Sequence, residues 1–385
     1  MPLTATAGSI SQMRRLLSLL ITVSICCAEA AEKPDDLAPL LRPHLEKTKF
    51  PAFAAAVMRG TNIVAAGAIG VRKVSSPEKV TVDDKFHIGS CTKSITALLA
   101  AFLDRDGTIR LTNRVGETLR DWKIPERAAG ISLQQLLQNR SGLAGKPDEK
   151  LWRRAFLDSG DAPGQRRRFL EGFLAAPLAA KPGTEYIYSN QGFSLAGAML
   201  ETAAKKSWED LVRERIFKKL SLKSAGFGPP SISGEVDQPW GHVLEDGKVK
   251  AKEPSDNPRA IAPAGAVHLS IMDCARYAAF HLAAARGEIA ELRDYRDDLY
   301  DAPHGGKYAM GWIVDTRPWA KGKVITHAGS NTMFFTVIWI APERNFACVV
   351  STNVADRENY VASACDVIVG ELIKKYVLNP TSATE

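Results

Sequence analysis

The sequence has no long apolar run and none of several short motifs that mark common enzyme classes. Its longest apolar run, near the N-terminus, has about a dozen residues, whereas a helix that spans a bilayer needs roughly 20. The sequence contains no Gly-x-Ser-x-Gly, no His-Glu-x-x-His, no Cys-x-x-Cys and no phosphate-binding glycine loop. These absences argue against a transmembrane segment in the mature chain and against α/β-hydrolase, zinc-peptidase and nucleotide-binding chemistry.

Cysteine is also scarce, with six in 385 residues. Cys26 and Cys27 belong to the N-terminal segment, and the others lie mostly in apolar surroundings: Cys91, Cys274, Cys348 and Cys365. We expect these four to be small buried side chains rather than a disulfide framework, although an exported protein can form a bridge.

The N-terminus has the pattern of a secretory signal. Arg14 and Arg15 precede the apolar run LLSLLITVSICC, and small residues flank Glu29 at the positions that a signal peptidase inspects. The prediction is a signal peptide over residues 1–30, cleaved near Ala30, and a periplasmic or secreted mature protein. Translation from Met13 is an alternative start. A lipoprotein is disfavoured, because Ile25 stands before Cys26 where a small residue is expected.

Charge and composition favour an ordinary globular protein. The chain is 45% hydrophobic and 24% charged, with a net charge of +7 that favours anionic surfaces such as envelope polymers. The basic residues are scattered apart from the run Arg166, Arg167 and Arg168, which we interpret as a solvated helix face. No nucleic-acid partner is predicted.

Strand-like segments at both chain ends enclose a helical middle. "FPAFAAAVMRGTNIVAAGAIGVR" predicts a hairpin, and "TMFFTVIWI" and "FACVVSTN" predict a second one near the C-terminus. Helical patterns dominate from about residue 104 to 254. The sequence therefore predicts a mixed α/β (α+β) fold in one catalytic domain, 31–385. Its antiparallel sheet, flanked by helices, comes from about 31–85 and 255–385, and an inserted all-helical lobe covers about 86–254.

Lys93 is unusual because it lies at the first turn of a helix that is apolar or small on all sides. Ile95, Leu98 and Leu99 form part of one apolar stripe, and alanines occupy much of the opposite face. Burial and the positive end of the helix dipole both disfavour an ammonium ion there. Ser90 lies one turn away, so a neutral Lys93 could accept its proton and activate it as a nucleophile. Ser76 and Lys79 have the same spacing, but in a polar loop broken by proline.

Two further motifs follow in chain order. In "PGTEYIYSNQGF", Tyr188 could share a proton with a lysine and Asn190 could hold a substrate carbonyl, although a tyrosine is often simply packed in a core. In "THAGSNTMFF", His327 opens a strand, and the backbone of Gly329 and Ser330 could bring a second N–H to an oxyanion hole shared with Ser90. His87 and His304 also fit His-x-Gly, and His304 stays an alternative.

Together these motifs resemble the penicillin-recognising serine hydrolases, in the class C β-lactamase-like branch that includes DD-peptidases, D-aminopeptidases and family VIII esterases. The similarity runs from about Phe50 to Asn353 and includes "FHIGSCTKSITALLAAFLDRDGTIRL", "LQQLLQNRSGL", "PGTEYIYSNQGFSLAGAMLE", "APAGAVHLSIMDCARYAAFHL" and "YAMGWIV". The resemblance implies a β-lactamase/transpeptidase-like fold with a five-stranded antiparallel sheet, no metal, no cofactor and an acyl-enzyme intermediate. It also implies that Ser90 is the nucleophile, Lys93 the base, Tyr188 the proton shuttle, Asn190 a substrate-amide binder and His327 the third-motif residue.

Three departures from the family pattern bear on the substrate. His327 stands where β-lactamases usually have lysine, Asn139 replaces the histidine of "LLTHTSGL", and a bulkier Asn331-Thr332-Met333 follows the third motif where glycine is common. A partly charged histidine would bind a carboxylate weakly. We therefore expect ester or D-amino-acid peptide hydrolysis ahead of β-lactam hydrolysis, on a small-molecule or peptide substrate of the cell-wall type. The alternative is a non-catalytic or slowly deacylating binding protein of the same fold.

Cys91, next to Ser90, raises the possibility of a thiol nucleophile. The next residue of a helix points about 100° away, so Cys91 is expected to pack into the core instead.

Overall fold

The structure is a computed structural model, and it describes residues 33–380. The strands in that range are β1 Asp35–Asp36, β2 Ala52–Arg59, β3 Asn62–Gly70, β4 Lys85–His87, β5 Gly226–Phe227, β6 His242–Glu245, β7 Lys248–Ala251, β8 Val267–Ser270, β9 Ile313–Arg317, β10 Gly322–Ser330, β11 Phe335–Ala341, β12 Phe346–Thr352 and β13 Val354–Ala355. The predicted signal peptide and its cleavage point lie outside the described residues.

The helices of the same range are mostly short, and all except the first and the last lie in the chain between the two groups of long strands. They are α1 Ala38–Thr48, α2 Thr92–Arg105, α3 Val115–Thr118, α4 Glu126–Ala129, α5 Leu133–Leu137, α6 Glu149–Leu157, α7 Ala162–Leu174, α8 Asn190–Ala204, α9 Trp208–Val212, α10 Ala262–Gly265, α11 Ile271–Ala285, α12 Arg296–Tyr300 and α13 Tyr360–Ile373. The mixed α/β class is confirmed. None of the helices within 33–380 is both long and apolar enough to cross a membrane.

The main sheet is built from both ends of the chain. Among the described residues it has seven strands in the order β1-β3-β2-β12-β11-β10-β9, and every pair is antiparallel except β1 with β3. Both predicted hairpins are present, as β2–β3 and β11–β12. The family resemblance implied five strands, and the two extra ones are the short β1 and β9, which pair at the two edges.

Helices cover both faces of this sheet. Alternate residues of β12 face opposite sides, as a strand requires: Cys348 and Val350 belong to the core beneath α1 and α13, and Ala347 and Val349 to the larger core beneath α11. The four cysteines of the described residues are free and buried, as predicted. α2 is buried along nearly its whole length in the larger core, so its first turn lies deep within the fold.

The inserted lobe differs from its prediction in two places. Helices run from Thr92 to Val212, but the hairpin β6–β7 follows before residue 254, where helices were expected. Its turn is Asp246-Gly247, a dipeptide that supports the positive φ angles of a tight hairpin. The solvated-face interpretation is wrong for Arg166, which is fully buried and pairs with Glu201 of α8 and, at 2.9 Å, with Glu209 of α9.

Candidate active site

Ser90 lies in a short 3₁₀ turn, Gly89–Cys91, that leads directly into α2. The turn is tightly enclosed. Gly89 has a φ of +48°, and a Cβ there would lie 2.2 Å from the backbone nitrogen of Ser330, so glycine is required on both grounds. The Ser90 side chain remains half-buried while its neighbours Gly89 and Cys91 are buried. The serine is therefore the member of this turn that a substrate can reach.

Lys93 is buried, and its amine is fully enclosed by polar contacts. Nζ lies 3.1 Å from Ser90 Oγ, 2.7 Å from Asn190 Oδ1 and 2.9 Å from the carbonyl oxygen of Ala264. Burial lowers the pKa of Lys93 from 10.5 to about 7. In the neutral form the two amine hydrogens satisfy the Asn190 and Ala264 oxygens, which leaves the nitrogen lone pair for the Ser90 hydroxyl.

Tyr188 and Asn190 reach this amine because they flank the start of α8. Ser189 caps the helix by accepting a hydrogen bond from the Gly192 N–H at 3.2 Å, which fixes the residues on either side of it. The Tyr188 ring centroid lies 4.6 Å from Lys93 Nζ. Burial raises the pKa of Tyr188 above its ordinary value, and the adjacent Ser90 hydroxyl offsets part of that rise. The phenol therefore stays protonated while the lysine loses its proton readily.

The third motif lies on β10, whose end runs against the Ser90 turn. A Cβ on Gly329 would lie 2.4 Å from the Ser90 backbone nitrogen and 2.1 Å from the Ile88 carbonyl oxygen. Glycine is thus needed for this close approach of two backbones. The Ser330 backbone nitrogen is brought to the same place, next to Gly89, so the backbones of Ser90 and Ser330 are neighbours across the site.

His327 is in the site but is not a cation. It is 3% exposed, and burial, together with the charge of Lys93, lowers its pKa to about 3. Nδ1 lies 2.6 Å from the Ala328 carbonyl oxygen, which can only accept, so Nδ1 carries the hydrogen. Nε2 is then an acceptor and faces the Tyr308 hydroxyl at 3.4 Å.

The alternatives raised by the sequence lie elsewhere. Lys79 and His304 are exposed on the surface, away from the buried amine. The Cys91 thiol points away from the Ser90 side, to the carbonyl oxygens of His327 at 3.4 Å and Thr336 at 3.8 Å, and burial raises its pKa to about 12. A thiolate nucleophile is therefore unfavourable at this position.

Behind the Ser90 turn is a chain of polar contacts that sequence reasoning missed. His87 Nδ1 accepts the Gly89 N–H at 3.0 Å, so its Nε2 carries the hydrogen and donates it to Asp256 at 2.9 Å. Asp256 also accepts from Asn331 Nδ2 at 3.3 Å. This Asn331–Asp256–His87 chain joins the Ser90 turn to the end of β10. The "FHIG" segment contained the histidine, but nothing in the sequence paired it with Asp256.

Asn139, which departs from the family pattern, is hydrogen-bonded to the backbone of the segment that carries Tyr188. Its Oδ1 accepts the Ser189 N–H at 3.0 Å and its carbonyl oxygen accepts the Ile187 N–H at 2.8 Å, so it holds both sides of Tyr188. Of the bulkier residues after the third motif, Asn331 and Met333 are buried, and the Asn331 Oδ1 accepts the backbone N–H groups of Met333 and Phe334. Only Thr332 is exposed to solvent.

A serine at the start of a buried helix, a buried lysine one turn later and the edge of an antiparallel sheet beside them define the β-lactamase and penicillin-binding-protein class of fold. Residues 37–368 match the family model described as "Beta-lactamase", and the chain belongs to that family.

Curated relatives are distant and longer. The chain is 22% identical to Protein flp of Staphylococcus aureus (strain MW2), over 82% of this chain and 62% of that protein. It is 25% identical to Unguisins hydrolase ungD' of Aspergillus campestris, over 88% of this chain and 65% of the relative. It is 28% identical to Penicillin-binding protein 4 of Amycolatopsis lactamdurans, over 56% of this chain and 55% of that protein. The chain thus spans less than two thirds of the length of these relatives.

Solved structures agree on the fold. The octameric penicillin-binding protein homologue from Pyrococcus abyssi superposes with a TM-score of 0.71 at 22% identity, covering 88% of this chain and 77% of the other. The crystal structure of SurE gives a TM-score of 0.70 at 20% identity, covering 88% of this chain and 74% of the other. At these identities the likeness establishes the fold alone.

Proposed function

We propose that this protein is an exported serine hydrolase that forms an acyl-enzyme on Ser90 and hydrolyses an ester or amide. The observation that carries the proposal is the Lys93 amine, 3.1 Å from Ser90 Oγ, with a pKa lowered by burial to about 7. A general base is most effective when its pKa lies near the working pH, and this amine meets that condition.

The proposed reaction begins with attack of Ser90 Oγ on the substrate carbonyl carbon. The Ser90 proton passes to the Lys93 lone pair, and the carbonyl π electrons move onto oxygen, where the backbone N–H groups of Ser90 and Ser330 would stabilise the negative charge. The tetrahedral intermediate then collapses and expels the leaving group, which takes the proton held by Lys93 by way of Tyr188, so that the amine is neutral again. Water repeats the sequence on the acyl-enzyme and releases Ser90.

The opposite pKa shifts of Lys93 and Tyr188 support this division of roles. The pKa of the lysine is lowered and that of the tyrosine is raised, both chiefly by burial. At neutral pH the lysine is therefore the group that accepts a proton and the tyrosine the group that relays one. Asn190, whose Oδ1 accepts from Lys93, would orient the amine and offer its NH₂ to a substrate carbonyl.

The neutral His327 favours an ester or a D-amino-acid peptide over a β-lactam. A buried imidazole with a pKa near 3 provides no positive charge at neutral pH for the carboxylate that a penicillin carries. We therefore place esterase or D-amino-acid peptidase chemistry first, on small-molecule or peptide substrates of the cell-wall type, and β-lactam turnover second.

Intact-mass spectrometry tests the proposal directly. The purified protein is mixed with a fluorophosphonate, and separately with benzylpenicillin, while p-nitrophenyl butyrate and nitrocefin report turnover. We expect a fluorophosphonate adduct that peptide mapping assigns to Ser90, ester hydrolysis, and little nitrocefin hydrolysis. The Ser90→Ala protein should give no adduct. Labelling that persists in Ser90→Ala would overturn the assignment.

A second candidate is a binding protein that is acylated but releases the acyl group slowly. It is favoured by the enclosure of the site, since Lys93, His327 and Tyr308 are all buried and Ser90 is only half-buried. Water would then reach an acyl-enzyme with difficulty. An adduct on Ser90 that persists for hours, without ester turnover, would favour this candidate over the hydrolase.

A further inference from the structure

A cleft of about 270 Å³ opens on the surface next to the active site. Its walls include Arg140, Tyr186, Pro303, Lys307, Tyr308 and Ile313, and we call it the Arg140 cleft. Two of the chain segments that line it adjoin the candidate site: Arg140 follows Asn139, and Tyr186 is two residues before Tyr188. Its size suits one side group of a ligand rather than a whole drug-sized molecule.

Tyr308 separates this cleft from the candidate active site. On the cleft side its ring centroid lies 5.4 Å from that of Tyr186. On the other side it lies 6.3 Å from Tyr188 and 6.0 Å from His327. A single tyrosine ring therefore lies between the cleft and the Tyr188 and His327 side chains of the candidate site.

Apolar surface in the cleft is left open to solvent. Tyr186 is 49% exposed and Ile313 is 37% exposed, and both line the same cleft. Exposed apolar groups that face one another across a cleft commonly mark a place where a ligand is covered. The aromatic pair Tyr186 and Tyr308 offers a surface on which an apolar or aromatic group can pack.

Arg140 brings an uncompensated positive charge to the same cleft. Its guanidinium donates to the carbonyl oxygens of Gly183 at 3.0 Å and Thr184 at 2.9 Å, which fixes its position. Within residues 33–380 it makes no ion pair with a carboxylate, whereas Lys307, which lines the same cleft, is 3.3 Å from Asp315. A fixed guanidinium without a carboxylate partner is well suited to bind an anion.

We propose that the Arg140 cleft is a subsite for a carboxylate carried on an apolar or aromatic arm of the substrate. The inference rests on the proposed hydrolase activity at Ser90 and adds a substrate class to it. The charge of Arg140 lies on the other side of Tyr308 from the neutral His327, so the anion is expected on an arm that extends away from Ser90 and not beside the third motif.

Matched esters test the subsite by kinetics. In the first pair the carboxylate is on the acyl group: the anionic mono-p-nitrophenyl glutarate is compared with the neutral p-nitrophenyl butyrate. In the second pair the carboxylate is on the leaving group: the anionic phenylacetyl ester of 3-hydroxybenzoate is compared with the neutral phenyl phenylacetate. Arg140→Gln should reduce kcat/KM for the anionic ester by about 10- to 100-fold in one of the two pairs, mainly through an increase in KM. The kcat/KM for the neutral ester of the same pair should change by less than about two-fold.

Control variants separate charge from structure. Arg140→Lys should retain part of the preference for the anionic ester, and Lys307→Gln should have the smaller effect because Lys307 is already paired. If Arg140 only supports the loop before Tyr188, Arg140→Gln will reduce the anionic and neutral esters of both pairs equally. That result, or no loss with any ester, would overturn the subsite.

A binding measurement keeps the subsite independent of catalysis. In the Ser90→Ala protein, calorimetric titration should detect 3-phenylpropionate but not 3-phenylpropionamide, and the additional change Arg140→Gln should abolish that difference. Equal binding of the acid and the amide would contradict the proposal. If the wild-type protein hydrolysed none of the esters but the Ser90→Ala protein still preferred the acid to the amide, only the hydrolase proposal would be contradicted.

Discussion

The Lys93 side chain is a titratable amine that is buried in the interior of the fold, away from bulk water. The amine is fully buried, yet each of its hydrogens has an oxygen to bind and its lone pair has the Ser90 hydroxyl. Transfer of an ammonium ion from water into such a place is costly, so the proton is lost near neutral pH instead of near pH 10. In the proposed mechanism, the free energy that destabilises the ammonium ion is what allows Lys93 to act as the base.

The rate of Ser90 acylation should therefore follow the titration of Lys93. We expect the rate of fluorophosphonate labelling to rise with pH and to level off above an apparent pKa of about 7, because only the neutral amine can accept the serine proton. Stopped-flow or quenched labelling from about pH 5 to 9 measures this profile. Lys93→Arg, which stays charged, should label slowly at every pH. A wild-type rate that does not change through pH 7 would contradict the role of Lys93.

The Asn331–Asp256–His87 chain should control the shape of the Ser90 turn. In Asp256→Asn the new amide can donate to His87 Nε2, which moves the ring hydrogen to Nδ1 and removes the acceptor of the Gly89 N–H. We expect labelling about 10- to 100-fold slower with the apparent pKa near 7 unchanged, and recovery in Asp256→Glu. The exposed Asp83→Asn is the control. If Asp256→Asn lowers the melting temperature without slowing labelling, the chain is only structural.

At the residue scale, proximity along the chain decided what the sequence could predict. Ser90 and Lys93 are three residues apart on one helical turn, so their contact follows from local geometry. His87 and Asp256 are 169 residues apart, and no local pattern brings them together. The state of His327 was equally out of reach, because its low pKa arises from burial by segments distant in the chain. The catalytic or binding roles of all seven site residues remain predictions: Ser90, Lys93, Tyr188, Asn190, His327, Gly329 and Ser330.

At the scale of elements, one buried arginine joins three helices of the inserted lobe. Arg166 of α7 contacts Glu201 of α8 and Glu209 of α9, and Glu201 also accepts the Trp208 N–H at 2.8 Å. Three consecutive arginines point about 100° apart on a helix, so at least one must turn toward the lobe. Which one does so depends on where α8 and α9 pack, and for that reason the sequence alone suggested a solvated face.

Arg166 and Arg168 form a matched pair for measuring this difference. Arg166→Met leaves Glu201 and Glu209 without a positively charged partner and should reduce the free energy of unfolding by about 3–5 kcal/mol. Arg168, whose side chain is 54% exposed and paired with Asp158, should cost less than about 1 kcal/mol when changed to Met. Urea unfolding followed by tryptophan fluorescence compares the two. Equal losses would mean that the buried ion pairs contribute nothing beyond surface pairs.

At the scale of the whole molecule, the sheet can be completed only when both chain ends have met. β2, near the N-terminal end of the described chain, pairs with β12 from residue Phe53 to Arg59, and helices from both ends cover the outer face. The two strand-rich ends of the sequence predicted this arrangement. The edge strands and the hairpin β6–β7 were not predicted, since short strands depend on neighbours rather than on their own pattern.

Burial of histidine links the stability of the whole molecule to pH. Burial lowers the pKa values of His281 and His327 to about 3 and those of His242 and His268 to about 4, whereas an unfolded chain would titrate near 6.5. Between pH 6.5 and 4 the unfolded state therefore binds more protons than the folded state. Stability contributed by these residues is present above pH 6.5 and falls as the pH decreases through that window.

His281 gives the sharpest test, because it is fully buried and has no proposed catalytic role. Between the folded-state and unfolded-state pKa values of a histidine, each pH unit changes the free energy of unfolding by about 1.4 kcal/mol. Wild type should therefore lose about 2–3 kcal/mol more of its free energy of unfolding between pH 6.5 and 4.5 than the His281→Gln protein does. Urea midpoints at a series of pH values measure the slope. His304→Gln, at an exposed histidine, should follow the wild-type slope. If both variants kept that slope, the acid destabilisation would have to come from groups other than His281.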